Sequence, residues 1–200
     1  LTCSIHGIVI IIFGKLVNQM KNKLTKLEFK WICYDMGNSA FILLVATILP
    51  IYFNYLSSSQ GVAEHNYLSY WSYAASLSTL IVALAGPILG TLADYKDHKK
   101  KIFLTCAMLG ALALACFWIP SSWLAFLVLF IAAKVAYSLS LIVYDSMLTD
   151  ITTEERMDAV SSKGYAWGYI ASVVPFIISL IFVLMYDKIG MTLKLSLIHI

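Results

Sequence analysis

Long runs of apolar residues, separated by short polar segments, are the main pattern along this 200-residue chain. A helix needs about 20 apolar residues to cross a hydrocarbon core about 30 Å thick, and five runs approach or exceed that length. They cover about residues 31–56, 70–92, 102–119, 123–147 and 164–186. Because these runs are continuously apolar and a helix satisfies its own backbone hydrogen bonds in lipid, we predict membrane-spanning helices rather than strands.

The composition supports a fold immersed in lipid. Hydrophobic residues make up 60% of the chain and charged residues 12%, against about 45–50% and about 25% in soluble domains. The mean hydropathy is +0.83. So few polar side chains cannot cover the surface of a water-soluble enzyme, and this composition also excludes a disordered chain. The predicted fold class is therefore an all-α integral membrane protein.

Positive charges occur on alternate connections between the runs. The connections at 57–69 and 120–122 contain no lysine or arginine. Since cytoplasmic loops carry the excess of basic residues, we expect the N-terminus and the basic connections to face the cytoplasm. The basic residues assigned to that side are Lys21, Lys23, Lys26, Lys30, Lys96, Lys99, Lys100, Lys101, Arg156 and Lys163.

The two ends of the chain differ in character from the rest. The first methionine, Met20, directly precedes a basic segment. The apolar residues 5–13 are too short to span a membrane and lack the basic flank of a signal peptide. The last six residues, LSLIHI, resemble the translation of a sequencing adapter. We therefore expect residues 1–19 and 195–200 to be non-native and residues 20–194 to form the helical domain.

Lys134 lies near the middle of the fourth run, where a charge is costly and marks a functional candidate. Ser138 and Asp145 follow at helical spacing on the same face, although Lys134 and Asp145 stand about 16 Å apart. They are too distant to pair, but they could line one polar cavity. The alternative is that Lys134 snorkels or bonds neighbouring carbonyls; its central position makes snorkelling awkward, so we favour the cavity.

The first run opens with a second polar face, formed by Asp35, Asn38 and Ser39. Asp35 and Asp145 fall at the same end of the predicted bundle. They could flank one vestibule and exchange protons, or they could be solvated charges at helix ends, and both interpretations stay open. The cavity candidates are Asp35, Asn38, Lys134, Tyr137, Ser138 and Asp145.

Small residues recur at four-residue spacing, which is typical of closely packed membrane helices. We interpret these positions as packing sites: Gly86 on the second run, and Gly164, Gly168 and Ser172 on the fifth.

Two local patterns predict features at the ends of the runs. Thr152 and Glu155 have the spacing of a capping box and predict a short helix before the fifth run.

A cluster of aromatic residues at the start of the second run predicts a belt at the outer membrane interface. It consists of Tyr67, Tyr70, Trp71 and Tyr73.

The connection between the second and third runs, GTLADYKDHKKK, resembles a loop signature of the major facilitator superfamily. In that signature a glycine and an aspartate precede a basic cluster. The match departs at Tyr95, where the family usually has a basic residue, and at Asp97, where it often has glycine. The matching residues are Gly90, Asp94, Lys96, Lys99 and Lys100.

Three segments together resemble the vacuole-effluxer branch of that superfamily: WICYDMGNSAF at 31–41, GPILGTLADY at 86–95 and VSSKGYAWGYI at 160–170. This resemblance implies a transporter of about twelve helices, built from two six-helix halves that rock around a midplane site. The chain would then be an N-terminal half fragment with five to six transmembrane helices, and its C-terminal half would be missing.

The resemblance further implies secondary active transport by alternating access in a bacterial plasma membrane. The expected solute is an amino acid for efflux or another small molecule, with proton coupling as a further expectation. The alternative is a non-transporting membrane sensor or scaffold with several spans. The sequence has no nucleophile, dinucleotide or metal-ligand motif, so we predict neither an enzyme nor a metal or cofactor. The short basic loop lies close to the membrane, so we expect contact with lipid and not with nucleic acid.

Overall fold

A computed structural model describes residues 24–95, 98–117, 119 and 122–185. Within these ranges the chain is helical apart from its turns, includes one 3-10 turn at Glu64–Asn66, and contains no strand. The helices are α1 (Lys26–Ser59), α2 (Tyr67–Ala93), α3 (Lys99–Ala115), α4 (Trp123–Ser146), α5 (Leu148–Ile151) and α6 (Glu154–Met185). The predicted all-α fold is confirmed for these residues.

Four stretches of the described chain are long and apolar enough to cross a membrane, where the sequence predicted five. They are Lys26–Ser59, Glu64–Ala93, Trp123–Ile151 and Glu154–Ile181. The third predicted span corresponds to α3, which has 17 residues and opens with three lysines. Its apolar part is therefore shorter than the roughly 20 residues that a span requires, and its crossing of the membrane stays a prediction.

The polar segment before the fifth predicted span belongs to a long helix rather than to a separate short one. Helix α6 begins at Glu154 and continues through the whole span. The short helix is instead α5, and it ends before Thr152. The hydroxyl of Thr152 donates to the Glu28 carboxylate at 2.7 Å, so this side chain serves a contact between distant segments.

Some predictions fall outside the described residues. These are the two ends expected to be non-native, at 1–19 and 195–200, the loop residue Lys96, and the beginning of a sixth helix after residue 186.

The helices associate in two sets. Helix α1 packs along α6, and α4 packs along both α2 and α3. We call one end of the bundle the basic end; it is formed by the starts of α1, α3 and α6 and by the end of α4. We call the other the aromatic end; it is formed by the end of α1 and the starts of α2 and α4.

Aromatic side chains fill the space between the helices at the aromatic end. Phe126 and Phe130 of α4 are fully buried in a cluster with residues of α1 and α2. The Phe130 ring stacks on Trp71 with 4.2 Å between centroids, and Tyr70 stacks on Trp123 at 5.1 Å. Tyr70 and Trp71, predicted as belt residues, therefore also pack α2 against α4.

Candidate functional site

A cavity of about 370 Å³ lies between α1, α4 and α6, toward the basic end of the bundle. Aromatic and polar side chains form much of its wall. The lining residues are Trp31, Asp35, Asn38, Ser39, Ile42, Leu43, Tyr137, Leu141, Tyr144, Asp145, Leu148, Ser161, Tyr165, Tyr169 and Ser172. Two carboxylates thus face a space that rings, hydroxyls and aliphatic side chains surround.

The structure brings together four of the six predicted cavity residues: Asp35, Asn38, Tyr137 and Asp145. Asp35 is half-buried and Asp145 is exposed. Ser172, predicted as a packing position, lines the same space. Lys134 and Ser138 are not among the residues that line it.

Lys134 lies apart from the cavity, at the contact between α4 and α2. Its ammonium donates to the Ala75 carbonyl oxygen at 3.4 Å and stands 5.9 Å from the centroid of the Phe130 ring. Helical side chains point toward the start of their own helix. Because α4 starts at the aromatic end, the long lysine chain carries its charge away from Asp145. Their shared helix face therefore does not place the two charges in one space.

Two glycines of α6 bring that helix close to α1 beside Asp35. A Cβ at Gly164 would lie 2.8 Å from Trp31 Cζ3 and 3.1 Å from Asp35 Oδ2. A Cβ at Gly168 would lie 2.5 Å from Ser39 Oγ. Small residues allow such close approach between membrane helices, and here the approach positions the wall of the cavity.

Trp31 and Tyr144 join α1 to α4 through a reciprocal contact. Their rings stack with 4.5 Å between centroids and 8° between planes. The Trp31 indole N–H donates to the Tyr144 carbonyl oxygen at 3.3 Å, and the Tyr144 hydroxyl donates to the Trp31 carbonyl oxygen at 2.9 Å. The contact satisfies the polar atom of each ring inside an apolar bundle, and it fixes the distance between two walls of the cavity.

Two polar groups at the cavity have no hydrogen-bond partner within the described part of the chain. Asn38 is only 9% exposed, and its side-chain amide forms no hydrogen bond to any described residue. The Tyr137 hydroxyl is buried and also lacks a partner there. The Tyr137 hydroxyl is enclosed by the protein and has no surface open to the cavity, whereas Asn38 lines the cavity. Asn38 is therefore the position at which a ligand would gain a hydrogen bond.

Glu28 is a buried carboxylate that the sequence interpretation missed. It is 1% exposed and accepts from Arg156 Nε at 3.1 Å and Arg156 Nη2 at 2.8 Å. The Thr25 N–H also donates to it at 2.7 Å, which completes the capping box of α1. The T-x-x-E spacing at 25–28 is a recognisable signal for that box. No sequence signal indicates the contact with Arg156.

Glu28 lies in the first turn of α1, within the stretch Lys26–Ser59 that is long enough to cross a membrane. The Thr152 hydroxyl and the Arg156 guanidinium both donate to its carboxylate. The carboxylate therefore joins the start of α1 to the start of α6.

Lys99 gives the loop motif a defined contact. Its ammonium lies 2.7 Å from a carboxylate oxygen of Asp150 and donates to the Ser146 carbonyl oxygen at 3.3 Å. A cation beside the last carbonyls of a helix complements the helix dipole. Lys99 therefore connects the start of α3 to the end of α4.

The other described motif residues are less constrained. Asp94 and Lys100 are exposed, and a Cβ at Gly90 would meet nothing within 4 Å. Gly86, one turn earlier on α2, makes a closer approach, since its Cβ would lie 2.9 Å from Ile142 Cδ1 of α4. Of these two glycines, Gly86 is the one that brings α2 and α4 together.

Comparison with known proteins extends these observations. The family model described as "Vacuole effluxer Atg22 like" matches residues 25–200. A Bacillus subtilis (strain 168) protein, YxiO, described as an uncharacterized MFS-type transporter, is 37% identical over 169 residues. The match takes in 83% of this chain, which spans 40% of the length of that relative. No solved structure matches the chain. The chain therefore belongs to the vacuole effluxer Atg22-like family of the major facilitator superfamily.

Proposed function

We propose that this chain forms the N-terminal half of a secondary transporter, and that the cavity between α1, α4 and α6 is its share of the solute pathway. The observation that carries the proposal is the cavity itself. Asp35, Asn38 and Asp145 face about 370 Å³ of space within a bundle of apolar helices. Charges inside a membrane are costly and are expected where they bind a solute or an ion.

Alternating access requires the cavity to open to one side of the membrane at a time. The glycine contacts between α1 and α6 and the Trp31–Tyr144 contact between α1 and α4 support a wall that moves as one unit. A second half of the transporter could rock against such a wall. This motion would cover and uncover the cavity without breaking the helix contacts described above.

The proposed solute is an amino acid or a similarly small molecule, exported or exchanged with coupling to protons. Asp35 and Asp145 are the groups proposed to take up and release the proton. The basic end would face the cytoplasm of a bacterial plasma membrane. Support comes from the positive-inside rule, because every described lysine and arginine except Lys134 lies at or near that end.

Solute flux through the complete protein that carries this chain, reconstituted in proteoliposomes, tests the proposal. We expect labelled amino acids to move when a pH gradient is imposed and flux to stop when a protonophore collapses it. Lack of flux for every solute, with folded protein in the vesicles, would contradict transport. Flux that does not depend on the pH gradient would contradict proton coupling but not transport.

Asp145→Asn sharpens this test, because it keeps the shape of the side chain and removes its charge. We expect the initial rate to fall about tenfold or more. The matched control is Asp158→Asn, at an exposed position of α6 that does not line the cavity; such surface changes have small effects, so its rate should stay within about twofold. Equal rates in the two variants would remove Asp145 from the pathway.

A further inference from the structure

The wall of the cavity carries charge of one sign. Asp35 and Asp145 are its acidic residues, and five of the lining residues are Trp or Tyr. None of the lining residues that the structure describes is Lys, Arg or His. An anionic group placed here would meet two like charges and no counter-charge, whereas a cationic group would meet two carboxylates.

The basic residues of the neighbouring helices contact other groups. Lys134 donates to the Ala75 carbonyl oxygen, and Arg156 donates to Glu28. The described lysines of α1 and α6 are Lys26, Lys30 and Lys163, and none of them lines the cavity. The negative charge of the wall is therefore not neutralised by a lining side chain of the described chain.

We propose that this half of the pathway binds the protonated amino group of the solute, between the carboxylates of Asp35 and Asp145. The inference rests on the proposed transport function and narrows its substrate class to amines and amino acids with a free ammonium group. The other groups of the solute would contact the part of the transporter outside this chain.

The acceptors at the cavity fit an ammonium group. An ammonium group has three N–H donors and no acceptor. Asn38 lines the cavity beside Asp35 and Asp145, and its side-chain amide forms no hydrogen bond to any described residue. The Asn38 carbonyl oxygen and one oxygen from each carboxylate supply three acceptors, which is the number an ammonium group needs when it leaves water.

The aromatic part of the wall adds a second preference for a cation. Tyr165 and Tyr169, one turn apart on α6, line the cavity and are largely exposed. The face of an aromatic ring attracts a cation within about 6 Å of its centroid. These rings therefore favour an ammonium group over a neutral amide of similar size.

Ligand-induced thermal stabilisation of the complete, detergent-purified protein tests the inference without requiring transport. The probes form two matched pairs: leucine with N-acetylleucine, and 3-methylbutylamine with N-(3-methylbutyl)acetamide. Each pair shares its carbon chain and differs in the ammonium group. We expect the free amine of each pair to bind at least about tenfold more tightly than its acetylated partner. Equal binding within both pairs, tighter binding of the acetylated compounds, or no binding of any probe would overturn the inference.

The variant Asp35→Asn tests whether the amine binds in the cavity. We expect this variant to lose most of the difference in binding affinity between 3-methylbutylamine and its acetamide. The control variant Asp158→Asn should keep that difference. If both variants keep the full difference, the amine binds elsewhere and the inference fails. Should Asp35→Asn not fold, the matched probes on the unaltered protein still decide. Stabilisation by sodium or potassium chloride equal to that by the amine would assign the site to an inorganic cation and overturn the inference.

These outcomes separate the inference from the function on which it rests. Amine-selective binding without flux of any solute would contradict transport and support the ammonium site. Flux restricted to neutral or anionic solutes would support transport and contradict the ammonium site.

Discussion

The two ends of the bundle hold the helices together by different means. At the aromatic end, Phe53, Phe126 and Phe130 are fully buried, and ring contacts fill the space between α1, α2 and α4. The basic end also has ring contacts, such as the stack of Trp31 on Tyr144. There, however, hydrogen bonds and ion pairs join the helices as well, as between Glu28 and Arg156, and a cavity remains between α1, α4 and α6.

This difference separates two tasks of the same helices. Dense ring packing stabilises the bundle through many weak contacts and needs few polar atoms. Directional contacts hold helices at set distances and leave the space between them open. We interpret the aromatic end as the part that stabilises the fold and the basic end as the part that is open to a ligand.

Phe130→Ala should disturb the aromatic end most strongly. The Phe130 ring is 0% exposed and stacks on Trp71 at 4.2 Å, so alanine would leave a cavity and remove the ring contacts. We expect the free energy of unfolding to fall by up to about 3–5 kcal/mol. Leu124→Ala, at a 56% exposed position of the same helix, should change it by less than about 0.5 kcal/mol. Thermal denaturation of the complete protein in detergent measures both, and equal losses would contradict the stabilising role of the aromatic end.

Gly164→Ala tests the close approach of α6 to α1 near the basic end. The new methyl group would lie 2.8 Å from the Trp31 ring, and that ring is held by its stack on Tyr144. We expect a loss of about 1–3 kcal/mol in the same denaturation assay, as for other overpacked sites. Gly90→Ala is the matched control, since its methyl group would meet nothing within 4 Å; helix propensity favours alanine there by up to about 1 kcal/mol. A Gly164→Ala variant as stable as Gly90→Ala would show that the two helices are free to separate.

The ion pair between Lys99 and Asp150 should give the smallest effect. Asp150 keeps 56% of its side-chain surface exposed, and exposed pairs contribute about 0.2–1 kcal/mol. A double-mutant cycle with Lys99→Gln and Asp150→Asn, read by thermal denaturation at low and high salt, measures the coupling. We expect the coupling to weaken as salt rises. A large coupling that salt does not change would indicate that this contact stabilises the basic end as strongly as the rings stabilise the other.

The order and type of the helices could be predicted from the sequence, because length and continuous apolarity decide whether a segment can span lipid. The boundaries were less predictable. Helix α6 begins ten residues before the apolar run at 164–186, since a helix continues through polar residues for as long as its backbone hydrogen bonds are made. Helix α3 is shorter than its predicted run, 102–119, and ends at Ala115.

The sequence could predict a residue of the candidate site when its position depended only on the face of the helix that it occupies. Asp35 and Asn38 line the cavity because their spacing places both on one side of α1. The placement of Lys134 depended on the direction of a long side chain and on the carbonyl oxygen of Ala75 in another helix. Neither is encoded in the spacing along α4.

Helix α1 is synthesised long before the residues that hold its first turn in place. Glu28 precedes Arg156 by 128 residues, and Trp31 precedes Tyr144 by 113. At roughly 5–20 residues per second, a ribosome needs about 6–26 s to add Arg156 after Glu28. Until Thr152 is added, four residues before Arg156, Thr25 is the one partner among the hydrogen bonds described for the Glu28 side chain that the chain already contains. Helix α1 therefore enters the bilayer before it can dock against α6, and the wall of the cavity is completed only when α6 has been made as far as Ser172.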